Sequence, residues 1–350
     1  MVEWKKLGEV SCITIGEFVH RDKQNPNAPY PVYNGGTTYT GFYDHYNNTG
    51  NKIVISARGY AGFVNRVFEN YWAGNSSYSI EVNEARANWH FVYYYLKKEQ
   101  YNIMSMQQKG GGLAAISKKQ VQELPIPLPS LSEQEHIVGI LDTFTSSIEN
   151  LKAQISLRRK QYEHYRDKLL DLEGKEGVEM KKISEFCLLK AGKSISSDDI
   201  TEVKRVNNYP CIGGNGIRGY VPFYSHVGSY PIIGRHGALC GCVNWITGKF
   251  YATEHAVVAT GKENIDQRFL YYLFENADLN QYKTQGAQPG LSVAKLNDIA
   301  FSLPSLEEQS RIVSILDEFE ASIKNLEAQL EAREKQYEYY REKLLTFERE

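Results

Sequence analysis

Four places in this 350-residue chain carry side chains whose types and spacing could do chemistry. Lys190-Ala191-Gly192-Lys193-Ser194 ends like a phosphate loop, in which backbone N–H groups and a lysine cradle phosphate oxygens. Such a loop needs a glycine five residues before Gly192, and Cys187 stands there. Arg235-His236 and Glu254-His255 each set an imidazole beside a charged group, the composition of a general acid–base pair. Cys240 and Cys242 are too few and too close for a zinc site, and the remaining cysteines, Cys12, Cys187 and Cys211, add no CxxC pair. No GxGxxG follows a strand-like run, there is no HExxH, and the Asn/Asp-Pro-Pro-aromatic tetrapeptide of amino-methyltransferases is missing. These readings predict no catalytic residue and no metal ligand. The two imidazole pairs are then better read as hydrogen-bonding contacts, and the chain as one that binds.

Composition narrows what it binds. An apolar share of 42% and a charged share of 23% are those of an ordinary soluble globular protein, and the length suits about two domains. No apolar run reaches the roughly 18 residues of a membrane span. The N-terminal MVEWKKLGEV lacks a signal-peptide core, so a cytoplasmic location is expected. A net charge of -2 argues against a non-specific nucleic-acid coat. Its distribution is uneven: +3 over 1–131, -2 over 132–173, +2 over 174–306 and -5 over 307–350. The mildly basic segments permit phosphate contact.

Those segments are set by an internal repeat. LPSLSEQEHIVGILDTFTSSIENLKAQISLRRKQYEHYRDKLLDLE from Leu128 and LPSLEEQSRIVSILDEFEASIKNLEAQLEAREKQYEYYREKLLTFE from Leu303 agree at 29 of 46 positions, at an offset of 175. The likeness returns where each half begins, Glu3 to Glu9 against Glu179 to Glu185, with Gly16 matching Gly192. Between these flanks only islands agree, such as Gly35-Gly36 with Gly213-Gly214. One unit is used twice, with its helices kept alike and its globular parts allowed to differ.

Each similar segment runs about 40 residues without proline, a helix of about 60 Å. Ile137, Leu141, Phe144, Ile148, Leu151, Ile155, Tyr162, Tyr165, Leu169 and Leu172 alternate spacings of four and three. Ile312, Leu316, Phe319, Ile323, Leu326, Leu330, Tyr337, Tyr340, Leu344 and Phe347 repeat the pattern. This heptad stripe predicts a coiled coil, with Arg158 and Arg333 on its seam. The first helix enters the second globular part and the second helix leaves it, so the pair should be antiparallel. The expected fold is α+β: two mixed α/β domains (1–131 and 174–306) separated by an antiparallel coiled coil of helices 132–173 and 307–350, with pseudo-twofold symmetry. Off the seam, Glu133, Gln134, Lys160, Gln161, Glu163 and Arg166 are repeated by Glu308, Gln309, Lys335, Gln336, Glu338 and Arg341. A solvated face has no packing reason to stay identical while the globular parts drift. Gln134, Gln161, Arg166, Gln309, Gln336 and Arg341 are therefore expected to bind two copies of one partner; a recent duplication is the alternative, and it fits poorly with the drifted globular parts.

The globular parts are rich in Tyr, Asn and Gly loops, and the chain holds 25 Tyr. Such loops supply rigid contact groups for recognition. Sequence readout of DNA uses Arg on guanine and Asn or Gln on adenine. The candidate contacts are Asn34, Thr37, Thr38, Tyr39, Arg58, Asn65, Arg66, Asn75, Gln107, Gln108 and Lys109 in the first half. In the second they are Asn215, Arg218, Tyr220, Arg235, His236, His255, Gln285 and Gln288.

Over its whole length the chain resembles the specificity subunit of a Type I restriction–modification enzyme. The resemblance lies in the alternation of variable domain and similar helix, and in the wording LPSLSEQEHIVGILD and LPSLEEQSRIVSILD followed by KQYEHYRDKLL and KQYEYYREKLL. It implies that 1–131 and 174–306 are target recognition domains, each reading one half of a bipartite, asymmetric double-stranded DNA site. It implies helices that act as spacer and dock two methyltransferase subunits, beside restriction subunits that cut. S-adenosylmethionine, ATP and Mg are then expected on those partner subunits and none of them in this chain. A non-catalytic coiled-coil adaptor without DNA binding is the alternative, and it would not need the basic and amide groups kept in the loops.

Overall fold

The computed structural model describes residues 2–107, 114–237, 240–284 and 290–348, and divides into two compact units, Met1–Lys152 with Ala328–Glu350, and Ala153–Glu327. In the first unit β1 (Glu3–Lys6) pairs antiparallel with β9 (Pro125–Leu128), which brings the two ends of the globular part together. The turn of helix α1 (Leu7–Val10) leads into a four-stranded antiparallel sheet of β2 (Ser11–Ile15), β8 (Ser77–Val82), β5 (Lys52–Ser56) and β6 (Val64–Val67), in that order. A second sheet orders β4 (Gly41–Tyr43), β3 (Tyr30–Tyr33) and β7 (Trp72–Ala73). Helix α2 (Trp89–Lys98) starts where the Asn88 carboxamide accepts the N–H groups of His90 and Phe91, and it buries Phe91, Val92, Tyr94 and Leu96. The short helices α3 (Gln100–Ser105) and α4 (Lys118–Gln122) complete the globular part.

The second unit repeats this plan with longer strands. β10 (Glu179–Lys182) pairs with β17 (Ala300–Leu303), and α6 (Ile183–Phe186) follows β10 as α1 follows β1. One six-stranded sheet runs β11 (Cys187–Ala191), β16 (Ala256–Gly261), β14 (His226–Gly234), β15 (Val243–Ala252), β12 (Tyr209–Gly213) and β13 (Gly216–Val221). Asp266 caps α7 (Gln267–Asn276) as Asn88 caps α2, and α8 (Val293–Asn297) precedes β17. The stretch that resembled a phosphate loop is strand β11 and its exit. A Cβ on Gly192 would lie 2.1 Å from the Ala252 carbonyl oxygen, and one on Gly16 2.2 Å from that of Ala73. Close backbone approach explains both glycines.

The two long helices are α5 (Leu131–Leu170) and α9 (Leu306–Leu344). Each is shared between the units, and within each unit the two segments run antiparallel. Phe144 stacks on Tyr340 at 5.3 Å and Lys152 pairs with Glu334 in the first unit; Arg159 pairs with Glu327 and Tyr165 stacks on Phe319 at 5.4 Å in the second. The seam arginines lie over the facing rings, Arg333 5.6 Å from Phe144 and Arg158 5.8 Å from Phe319. The apolar stripe serves two purposes. Ile137, Val138 and Leu141 join the core of the first unit, and Ile312 and Leu316 that of the second. Leu172 and Phe347, expected on the helical stripe, fall beyond the helix ends and pack into globular cores instead. No described helix is long and apolar enough to cross a membrane.

Candidate nucleic-acid interface

Three loops converge at one end of each unit, held by the same backbone bonds. In the first unit the Ala57 N–H donates to the Ser76 carbonyl at 2.7 Å, the Ile116 N–H donates to the Ala57 carbonyl at 2.9 Å, and Arg58 bridges to Ala115. In the second, Arg235 N–H donates to His255 at 2.9 Å, Leu291 N–H to Arg235 at 2.8 Å, and His236 bridges to Gly290. Ala57, Arg58, Asn75 and Ser76 thus stand where Arg235, His236, Glu254 and His255 stand. The strand β3–β4 connection joins them: Ser76 N–H donates to the Asn34 carboxamide at 3.0 Å, Gly35 N–H to the Ser77 hydroxyl at 3.1 Å, and Tyr60 N–H to the Gly35 carbonyl at 3.0 Å. Its counterpart is the β12–β13 turn, where a Cβ on Gly214 would meet the His236 and His255 carbonyls at 3.1 and 3.3 Å.

The frame is shared and the side chains on it differ. In the first unit Arg58, Thr38 and Tyr39 are exposed, Thr37 and Asn75 half-buried, and a cavity of about 230 Å³ opens between Arg58 and Asn75. A larger groove of about 950 Å³ runs beside Asn34 and is lined by Phe18, His20, Arg21 and Gln24. These four belong to no motif, and their only signal in the sequence is an aromatic, an imidazole, a guanidinium and an amide within seven residues. In the second unit Asn215 and His236 are exposed, and the His236 ring meets the His255 ring edge-on at 5.1 Å. Burial, and then the Arg235 charge, hold His236 below its ordinary pKa. Arg235 itself is half-buried, with Nε donating to the Leu291 carbonyl at 3.2 Å.

Other expected contacts lie elsewhere. Arg66 points to the long helix: its guanidinium reaches Asp142 of α5 and the Tyr94 hydroxyl, at 3.2 and 3.3 Å, among the rings of Phe68, Tyr93 and Tyr94. Its side chain is 15% exposed, which removes it from the reading surface. The second unit builds the same knot from another element. Arg268 of α7 reaches Asp317 and Tyr272, at 2.7 and 3.0 Å, and lies over Trp245, the residue in the place of Arg66. Asn65 is half-buried beside it in β6. Arg218, exposed beside the β12–β13 turn, reaches along β13 to the Ser197 hydroxyl, and Tyr220 bridges to Thr201. Gln107 donates to the Ala61 carbonyl at 2.6 Å and so ties down the loop after Arg58. Gln108, Lys109, Gln285 and Gln288 lie outside the described residues.

The expected partner face also divides. Gln134 and Gln309 are each 1% exposed, not solvated. Gln134 accepts the Asn88 N–H and donates to the Pro129 carbonyl; Gln309 accepts the Asp266 N–H and donates to the Pro304 carbonyl. Each therefore ties the N-cap of α2 or α7 to the residues that lead into its own long helix, and that packing reason corrects the reading of them as surface. Arg166 and Arg341 are half-buried over Tyr162 and Tyr337. Gln161 and Gln336 are exposed. Gln161 lines a cavity of about 650 Å³ with Arg158, Tyr165, Lys168, Arg311 and Phe319, all within the second unit.

The model of the Type I restriction modification DNA specificity domain matches this chain twice, over residues 1–158 and 175–333. The chain belongs to this family. It is 43% identical over 212 residues to the Type I restriction enzyme EcoprrI specificity subunit of Escherichia coli, a match covering 56% of this chain and 52% of that protein. It therefore aligns with about half the length of this relative. It is 29% identical to the EcoR124I/EcoR124II specificity subunit of Escherichia coli over 73% of this chain and 70% of that one. The fold is that of the Type I restriction–modification S subunit from M. genitalium, with a TM-score of 0.75 and 20% identity over 100% of this chain and 97% of that chain. The two family matches fall on the two halves of the internal repeat.

Proposed function

We propose that this chain is the DNA-reading, non-catalytic subunit of a Type I restriction–modification complex, each unit reading one half of a bipartite, asymmetric site. One observation carries this reading: the same hydrogen-bonded frame of converging loops occurs in both units and displays different side chains, Arg58 and Asn75 in one, His236 and Glu254 in the other. A common frame with different contact groups is what a non-palindromic target requires. Family membership adds that such domains specify DNA. The long helices hold the readers, and their exposed faces around Gln161 and Gln336 dock two methyltransferase subunits. Those subunits supply S-adenosylmethionine chemistry, and restriction subunits supply ATP- and Mg-dependent cleavage, in the cytoplasm. Among the described residues no group of His, Cys, Asp and Glu is arranged as a metal site. The test is methylation-sensitive sequencing of a host expressing this chain with its methyltransferase partner. A single split, asymmetric motif is expected, and methyl transfer by the purified chain alone would overturn the assignment.

A further inference from the structure

Glu254 and His255 occupy the tip of the β15–β16 connection, at the centre of the second unit's converging loops. One Glu254 oxygen lies 3.3 Å from His255 Nε2. The other, Oε2, is shielded from solvent and has no hydrogen-bond partner among the described residues, and the same is true of His255 Nδ1. Both side chains are nonetheless partly open, 34% and 43% exposed. A shielded polar atom left unpaired costs free energy, so such atoms mark places where the free protein is incomplete. Other loops of this frame satisfy themselves: the Asn34 carboxamide, for example, caps the Ser76 N–H. Glu254 and His255 do not. The equivalent pair in the first unit is Asn75-Ser76, so this is a position where the two units have diverged on a fixed backbone.

A carboxylate oxygen only accepts hydrogen bonds. In the major groove the groups that donate are the amino groups, N4 of cytosine and N6 of adenine. Guanine presents only acceptors there, and thymine an acceptor and a methyl, so a carboxylate rejects both. One carboxylate oxygen lies 3.3 Å from His255 Nε2, and the His236 ring stands edge-on at 5.1 Å from the His255 ring. The carboxylate thus lies against an imidazole on one side, and its second oxygen, unspent among the described residues and shielded in the free protein, meets a base when the partly open side chain turns outward. We propose that Glu254 is a specificity-determining residue of the second unit, selecting a base that offers an amino group, with His255 and His236 as its positioning residues. This rests on the reading of the units as DNA readers.

The test uses the complete complex of this chain with its methyltransferase subunits, challenged with a duplex library randomised across the site. The wild type is expected to enrich a split motif containing, in one half, a position held by cytosine or adenine. In Glu254→Gln that one position should lose its preference or shift to adenine, which an amide reads with both its groups, by roughly ten-fold or more in enrichment. The other half should be unchanged. His236→Ala, at an exposed side chain, should relax the same position and serves if Glu254→Gln fails to fold. A wild-type split motif that both variants keep intact overturns this inference and leaves the proposed function standing. Loss of all enrichment by a variant that melts like the wild type also overturns it, because a base contact governs one position. A wild type that enriches no sequence overturns the proposed function itself.

Discussion

Tyr94 of α2 and Tyr272 of α7 stand at matching places, and each hydroxyl donates to an aspartate of a long helix, Asp142 at 2.5 Å and Asp317 at 2.6 Å. Burial, with that bond, pushes both hydroxyls up, so they remain protonated donors. The arginine completing each knot comes from a strand in one unit and from a helix in the other. Next to Asn65 in the sequence Arg66 has the look of a reading group, whereas its partner in the fold is 76 residues away. Arg268 leaves no local signal for the same reason, its partner Asp317 being 49 residues away. Arg66→Met should then lower unfolding stability by about 2 kcal/mol, below the range for fully buried pairs because Asp142 is 40% exposed. Urea denaturation reads this, and the methylated motif should not move; a changed motif would return Arg66 to the interface. Lys97 gives a pH signature. Its amine donates to the Val64 carbonyl and the Gln100 carboxamide, and burial, helped by Arg341, pulls its pKa down to about 8. Below that pH the folded state carries a shielded charge. Between about 8 and 10.5 the unfolded chain binds the proton and the folded one does not, so this term makes stability rise with pH. Lys97→Met should gain stability at pH 7, and its advantage should shrink as pH climbs from 8 to 9.5; a constant difference would contradict the shift.

The long helices show where sequence patterns were legible and where they were not. Heptad spacing, helix capping turns and the antiparallel order could all be read, because periodicity and connectivity are local facts. The division of the stripe between cores and helix partner could not, because it depends on which globular surface meets each turn. Identity across the repeat was also ambiguous. Gln134 and Gln309 are kept alike by a buried task, accepting the N-cap N–H of α2 or α7, whereas Gln161 and Gln336 stay exposed with no such task. The exposed pair therefore carries the docking proposal, in place of the half-buried Arg166 and Arg341. Gln161→Glu with Gln336→Glu should weaken methyltransferase binding by about ten-fold with an unchanged melting temperature, by calorimetric titration. Unchanged affinity would move the dock off this face.

Across the chain, the repeat of helix wording and the drift between the flanks were enough to suggest two readers on one scaffold, and two family matches agree. What sequence could not show is that the loops meet in one frame, since Asn34, Arg58 and Asn75 are brought together only by β-sheet pairing. The frame makes each reader replaceable, within one limit. The first unit's core includes Ile137, Val138, Leu141 and Leu345, and Trp4 and Lys98 bond to the backbone of Glu348 and Leu345. A donor domain must keep those partners. The most direct measurement is the methylome of a host carrying the methyltransferase with a chain whose residues 1–131 come from such a donor. One half of the split motif should change and the other remain base for base; a change in both halves, or in neither, would contradict two independent readers.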